Sequence, residues 1–90
     1  MTILERVLME INRLADKEDL NLQFERVYIP IHGKVKRFCL ECTRCENTGI
    51  CVELELYYQM EGKDTDAITI APWLGEPEID RIKWFVNMHI

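Results

Sequence analysis

The stretch Ile50-Cys51-Val52-Glu53-Leu54-Glu55-Leu56-Tyr57-Tyr58-Gln59-Met60 decides the fold. Its apolar residues fall on every second position. Ile50, Val52, Leu54, Leu56, Tyr58 and Met60 share one parity; Cys51, Glu53, Glu55, Tyr57 and Gln59 share the other. A period of two held this long predicts an antiparallel strand with one face on a core and one in water.

Upstream, Phe38, Leu40 and Cys42 alternate in the same way, and His32-Gly33-Lys34 reads as a turn. Before that turn, Val27, Ile29 and Ile31 alternate, while Leu20, Leu22 and Phe24 lie on the opposite parity. The change of phase near Glu25-Arg26 predicts a bulge or a break into two short strands. Pro30 favours a sheet edge or a strand end. Downstream, Glu61-Gly62-Lys63-Asp64 is a turn, and Ala67 to Ile70 is a further strand cut short by Pro72.

The two ends carry a helical period. Ile3, Leu4, Val7, Leu8, Ile11, Leu14 and Ala15 form one stripe, and Thr2 with Glu5 makes a capping-box pattern. Near the C-terminus, Pro77 suits a first helical turn, where Glu76, Glu78 and Asp80 complement the helix dipole. Ile79, Ile82 and Val86, with His89 or Ile90, form the stripe expected to be buried, widened by Trp84 and Phe85. The order is therefore helix, a three- to four-stranded antiparallel meander sheet, helix. That order predicts an α+β fold of two layers. Residues 1–90 leave room for a single domain, with a cysteine-bearing hairpin at 38–52.

Composition narrows the function classes. The chain is 48% apolar and 30% charged, typical of a globular domain. Its formal charge of −5 argues against wholesale binding to nucleic acid or an anionic membrane. No apolar run approaches a membrane span. Glu5 and Arg6 interrupt any secretory signal, so the expectation is a cytoplasmic protein with reduced thiols.

All four cysteines lie within 13 residues, as Cys39, Cys42, Cys45 and Cys51 in a C-x2-C-x2-C-x5-C pattern. Four thiolates in a reducing compartment suit a closed tetrahedral zinc site, which would stiffen the hairpin. The overlapping pairs differ from the usual two separated knuckles. An iron–sulfur [4Fe–4S] cluster is the alternative, because C-x2-C-x2-C wraps three corners of such a cube. Other readings are a Cys39–Cys51 disulfide or redox switch, and cysteines that merely fill space. His32, in the turn, is an alternative ligand.

Charge is uneven along the chain. Residues 25–45 carry a net +3 and residues 46–90 a net −6. Lys34, Lys36, Arg37 and Arg44 could contact an anion or an acidic partner, or simply offset the charge of a four-thiolate metal site. Glu53 and Glu55, on one strand face, are either plain solvation or a surface for a basic groove. Trp73-Leu74, between Pro72 and Gly75, either caps the core or anchors a protein partner. No nucleophile–base constellation, P-loop or dinucleotide turn is present. The function expected is a small, metal-stabilised, non-enzymatic binding or regulatory module acting through protein contacts. The alternatives are an iron–sulfur redox or sensor protein, and a zinc-dependent nucleic-acid binder using the 32–44 hairpin. Self-association through a sheet edge is a further expectation.

Overall fold

A computed structural model describes residues 1–33, 35–72 and 75–90. Lys34, Trp73 and Leu74 lie outside them, so the roles expected of these three stand as expectations. The elements run α1 (Ile3–Asp16), β1 (Phe24–His32), β2 (Lys36–Arg44), β3 (Cys51–Met60), β4 (Lys63–Ile70) and α2 (Glu76–His89). The four strands form one antiparallel meander in the order β1-β2-β3-β4. Both helices contribute to the single core on one face of the sheet, giving the expected α+β arrangement of two layers.

Helix α1 begins where its sequence says. The Thr2 hydroxyl accepts from the Glu5 amide and the Glu5 carboxylate accepts from the Thr2 amide, each at 3.1 Å. These bonds serve two of the amides a helix start leaves unpaired. The Thr2 amide and hydroxyl also hold the Glu5 carboxyl below its usual range. A lowered carboxyl stabilises the fold at pH values above its unfolded pKa, and the contribution fades as pH falls through the folded value. Thr2→Ala should therefore cost about 1 kcal/mol in thermal or urea unfolding at neutral pH. Only the part of the deficit that comes from the hydroxyl's contact with the Glu5 carboxylate should fade as pH falls through the lowered Glu5 value, because the hydroxyl's bond to the Glu5 amide does not titrate.

The β3–β4 connection is a two-residue turn, with Glu61 at φ 52° and Gly62 at φ 78°. Two successive left-handed residues match the twist of a hairpin, and glycine takes the second at no steric cost. The turn extends β4 back to Lys63, beyond the short strand expected from Ala67.

The inner sheet face presents Ile29, Phe38, Leu40, Cys42, Leu54, Leu56, Tyr58 and Ile70 to the helices. Val7, Ile11 and Leu14 of α1 and Ile82, Phe85 and Val86 of α2 complete the core. Phe38 lies at the join, with ring centroids 5.8 Å from Tyr58 and 6.1 Å from Phe85.

Three expectations are corrected. First, there is no slip at Glu25-Arg26: β1 pairs with β2 in continuous register from Phe24↔Thr43 to Pro30↔Arg37, and the irregularity falls between Pro30 and His32. Leu20 and Leu22 precede the strand, and Glu25 shares the inward parity of Val27, Ile29 and Ile31 because its carboxylate has a buried partner. Second, β3 does not keep one parity to its start. A bulge beside Thr43/Arg44 turns both Val52 and Glu53 outward and brings Cys51 inward. Ile50 and Val52 are consequently 45% and 52% exposed. Third, the buried stripe of α2 excludes Trp84, which is 63% exposed, and Ile90. His89 is half-buried, stacked on Tyr58 at 4.2 Å and paired with Asp66 at 3.0 Å.

Candidate functional site

Successive side chains of a strand point to opposite faces, so residues three apart are separated. Cys39 and Cys42 both lie in β2 and obey that rule. Cys42 is in the inner core, whereas Cys39 is buried on the outer face, in register between Tyr28 of β1 and Tyr57 of β3. Burial pushes the Cys39 thiol up to about 11, with Glu41 adding to the effect.

The bulge brings Cys51 beside Cys42, with the two sulfurs 3.1 Å apart. The Cys51 thiol donates a hydrogen bond to the Glu53 carbonyl at 3.6 Å. Burial, with Cys51 alongside, holds the Cys42 thiol well above its ordinary value. Cys45 lies just past β2 in the 45–50 turn, closed by Gly49 N–H to Cys45 C=O at 2.8 Å and Cys45 N–H to Ile50 C=O at 2.9 Å. The Thr48 hydroxyl and the Asn47 and Thr48 amides lower its pKa.

The four sulfurs thus do not converge as arranged. Among the described residues no group of three or more His, Cys, Asp or Glu is placed to hold a metal ion. The close pair also has the wrong spacing for shared ligation. Two thiolates at 2.3 Å from a tetrahedral ion stand about 3.8 Å apart. His32 does not complete such a set, for it pairs with Lys36 at the end of the hairpin remote from Cys42 and Cys45. The cysteine arrangement fits neither the zinc site nor the cube expected from spacing alone.

Arg44 is corrected most sharply. Its side chain is 0% exposed and unavailable to a partner. Its guanidinium pairs with the Glu25 carboxylate and donates to Leu14 C=O at 3.1 Å, Leu22 C=O at 3.3 Å and Lys17 C=O at 3.4 Å. Leu14 and Lys17 lie at the end of α1, where helix carbonyls lack intrahelical donors. The Arg44 amide also donates to Gln23 C=O at 2.7 Å. One residue therefore ties α1, the following loop, β1 and β2 together. Beside it, Gly49 adopts φ +73° and accepts from the Asp19 amide at 3.0 Å, clamping the 45–50 turn to the α1–β1 loop.

Among the described residues, no helix lies on the outer sheet face. Its central row is Tyr28, Cys39, Tyr57 and Ala67, and the next is Arg26, Glu41, Glu55 and Thr69. Arg37 lies over the Tyr28 ring at 3.9 Å and donates to Gln59 at 2.7 Å. Arg26 pairs with Glu41 at 3.1 Å. The two arginines of this face are thus engaged, Arg26 across β1–β2 and Arg37 with Tyr28 of β1 and Gln59 of β3. Glu53 and Glu55 stand on the β3 side and, among the described residues, have no basic partner. Glu55 accepts from the Tyr57 hydroxyl and raises the Glu53 carboxyl above its ordinary range. Lys36 lies at the turn end of β2, away from Arg44.

Trp84 and, one turn later, Met88 are exposed outside the buried stripe of α2. The signal was present in the spacing, because Trp84 cannot share the Ile82–Val86 face without widening it beyond what the sheet covers. No helix among the described residues is long and apolar enough to cross a membrane. Comparison of the chain with protein-family models, curated proteins and solved structures finds no match.

Proposed function

We propose that the chain is a binding module that holds a basic segment of a partner protein against the outer face of its sheet. The observation that carries this reading is the unneutralised Glu53–Glu55 pair beside the Tyr28–Cys39–Tyr57 row. Glu55 raises the Glu53 carboxyl first through a hydrogen bond between them and then through its charge, and a cation between the two can take the place of that shared proton. Tyr57, half-buried next to Glu55, offers a rigid ring on which a lysine or arginine stem can lie, the Tyr28 ring being covered by Arg37. The chain's net charge of −5 favours encounter with a basic partner.

The nucleic-acid reading of the 32–44 hairpin loses Arg44 to the interior and has Arg37 committed to Tyr28 and Gln59. It is the weaker of the two.

Titration of the isotopically labelled chain with a heptalysine peptide tests the proposal. Backbone amides of β2 and β3 around Glu41, Glu53 and Glu55 are expected to shift. The double variant Glu53→Gln/Glu55→Gln should weaken binding roughly tenfold, as expected for removing two exposed charge contacts. Unchanged affinity in that variant, or equal binding of an oligonucleotide, would count against the reading.

A further inference from the structure

The geometry points to Cys42 and Cys51 as a modification site, a dithiol enclosed in the core that a peroxide converts to an intrachain disulfide across the β2–β3 bulge. The two sulfurs already stand 3.1 Å apart on the inner face. A disulfide requires about 2.05 Å, so the atoms close by about an ångström. The bulge at Val52 supplies local slack, because one strand carries a residue with no partner opposite it. Neither of the other cysteines is placed to bond to this pair, although the less buried Cys45, whose thiol pKa is lowered, meets peroxide on its own account. Cys39 lies through the sheet, and Cys45 lies past Arg44 in the turn.

Access selects the oxidant. Cys42 is fully enclosed and Cys51 is 4% exposed where β3 leaves the 45–50 turn. Only a small molecule reaches Cys51, and hydrogen peroxide is small enough. The Cys51 sulfur attacks one peroxide oxygen, the O–O bond breaks, and water leaves with the thiol proton on the departing oxygen. The Cys51 sulfenic acid that results is attacked by the neighbouring Cys42 sulfur. The S–O bond breaks, the S–S bond forms, and the hydroxyl leaves as a second water with the Cys42 proton. Two sulfurs lose one electron each, and the two peroxide oxygens gain them.

The new bond would span the segment that carries Arg44 and the Gly49 clamp. Cross-linking a loop of this size constrains the unfolded chain, and a rise in Tm of about 5–15 °C is expected.

The full reduced chain, exposed to hydrogen peroxide, tests this. Thiol counting under denaturing conditions should show the four free cysteines reduced by the two of this pair, beyond any oxygen adduct on the less buried Cys45. Intact mass should fall by about 2 Da, with the oxygen leaving as water. Peptide mapping should join the Cys42 and Cys51 fragments, and dithiothreitol should restore all four thiols. Cys51→Ser should abolish the cross-link while circular dichroism shows the strands intact; Cys42→Ala gives the same readout if the serine variant fails to fold. If both fail, the wild-type map decides. Four results would overturn the assignment: a cross-link through Cys39 or Cys45, oxygen adducts on Cys42 or Cys51 without a cross-link, loss of two thiols persisting in Cys51→Ser, or stoichiometric zinc on the reduced chain that shields the pair from peroxide.

Discussion

Arg44→Met is expected to destabilise the protein by about 3–5 kcal/mol, the usual cost of removing one partner of a buried ion pair. For a domain of this size that corresponds to a fall in Tm of roughly 15–30 °C, most of a typical total stability. The argument rests on what is left behind. Methionine fills much of the volume but donates nothing. The Glu25 carboxylate loses its main buried partner, and the carbonyls of Leu14, Lys17 and Leu22 each lose a donor. Lys17, 3.4 Å from Glu25 at the rim, compensates in part. Arg44→Lys should recover little, because a single ammonium cannot reach four acceptors arranged around a planar fork. The informative comparison is the double variant Arg44→Met/Glu25→Leu. Removing both charges should be clearly less damaging than removing Arg44 alone, since no uncompensated carboxylate remains. Urea unfolding of the four proteins of the cycle measures the coupling. An Arg44→Met protein within about 1 kcal/mol of wild type would show that the network is not structural.

Gly49→Ala is the second large effect. A Cβ at this position would stand 2.8–2.9 Å from the backbone C and N of Asp19 and the N of Leu20. These are main-chain atoms, so no side-chain rotation relieves the overlap. The positive φ adds the left-handed penalty of about 1–2 kcal/mol. Together they should cost about 3 kcal/mol or more, by opening the 45–50 turn away from the α1–β1 loop. Gly33 and Gly62 also have positive φ, but nothing lies within 4 Å of a Cβ there. Alanine at those two sites should cost only the conformational penalty. Parallel thermal melts of the three alanine variants separate steric from conformational cost. Equal losses at all three would refute the clamp.

The parts of the fold legible in sequence are those governed by local period. Phe38, Leu40, Cys42, Leu54, Leu56 and Tyr58 announce their face by alternation, and Val7, Ile11 and Leu14 by helical spacing. Glu25 defeats that logic. A carboxylate on the inward parity looks like a phase error unless its guanidinium partner, 19 residues away, is known to be beside it. The bulge at Val52 is similarly invisible, because nothing in Cys51-Val52-Glu53 distinguishes a doubled outward step from regular alternation. The cysteines carry a different lesson. The spacing of Cys39 and Cys42 suggests a metal knuckle only if the segment turns. Its apolar alternation marks it as a strand, and in a strand the same spacing sends the two thiols to opposite faces. The period was the stronger signal. The nearness of Cys42 and Cys51 followed from the bulge and had no sequence trace of its own.

The strand order β1-β2-β3-β4 bears on how the chain reaches its native state. Every strand pairs only with its neighbour in sequence, so each pairing closes a short loop and sacrifices little chain entropy. Contacts of that kind favour fast folding for a sheet protein, and no strand waits for a distant one to arrive. The longer-range steps come from the two helices: the final turn of α1 must meet Arg44, 30 residues along the chain from Leu14, and α2 must bring Phe85 onto Phe38. Assembly is thereby divided into a hairpin ladder that zips from its turns and the docking of two terminal helices that locks it.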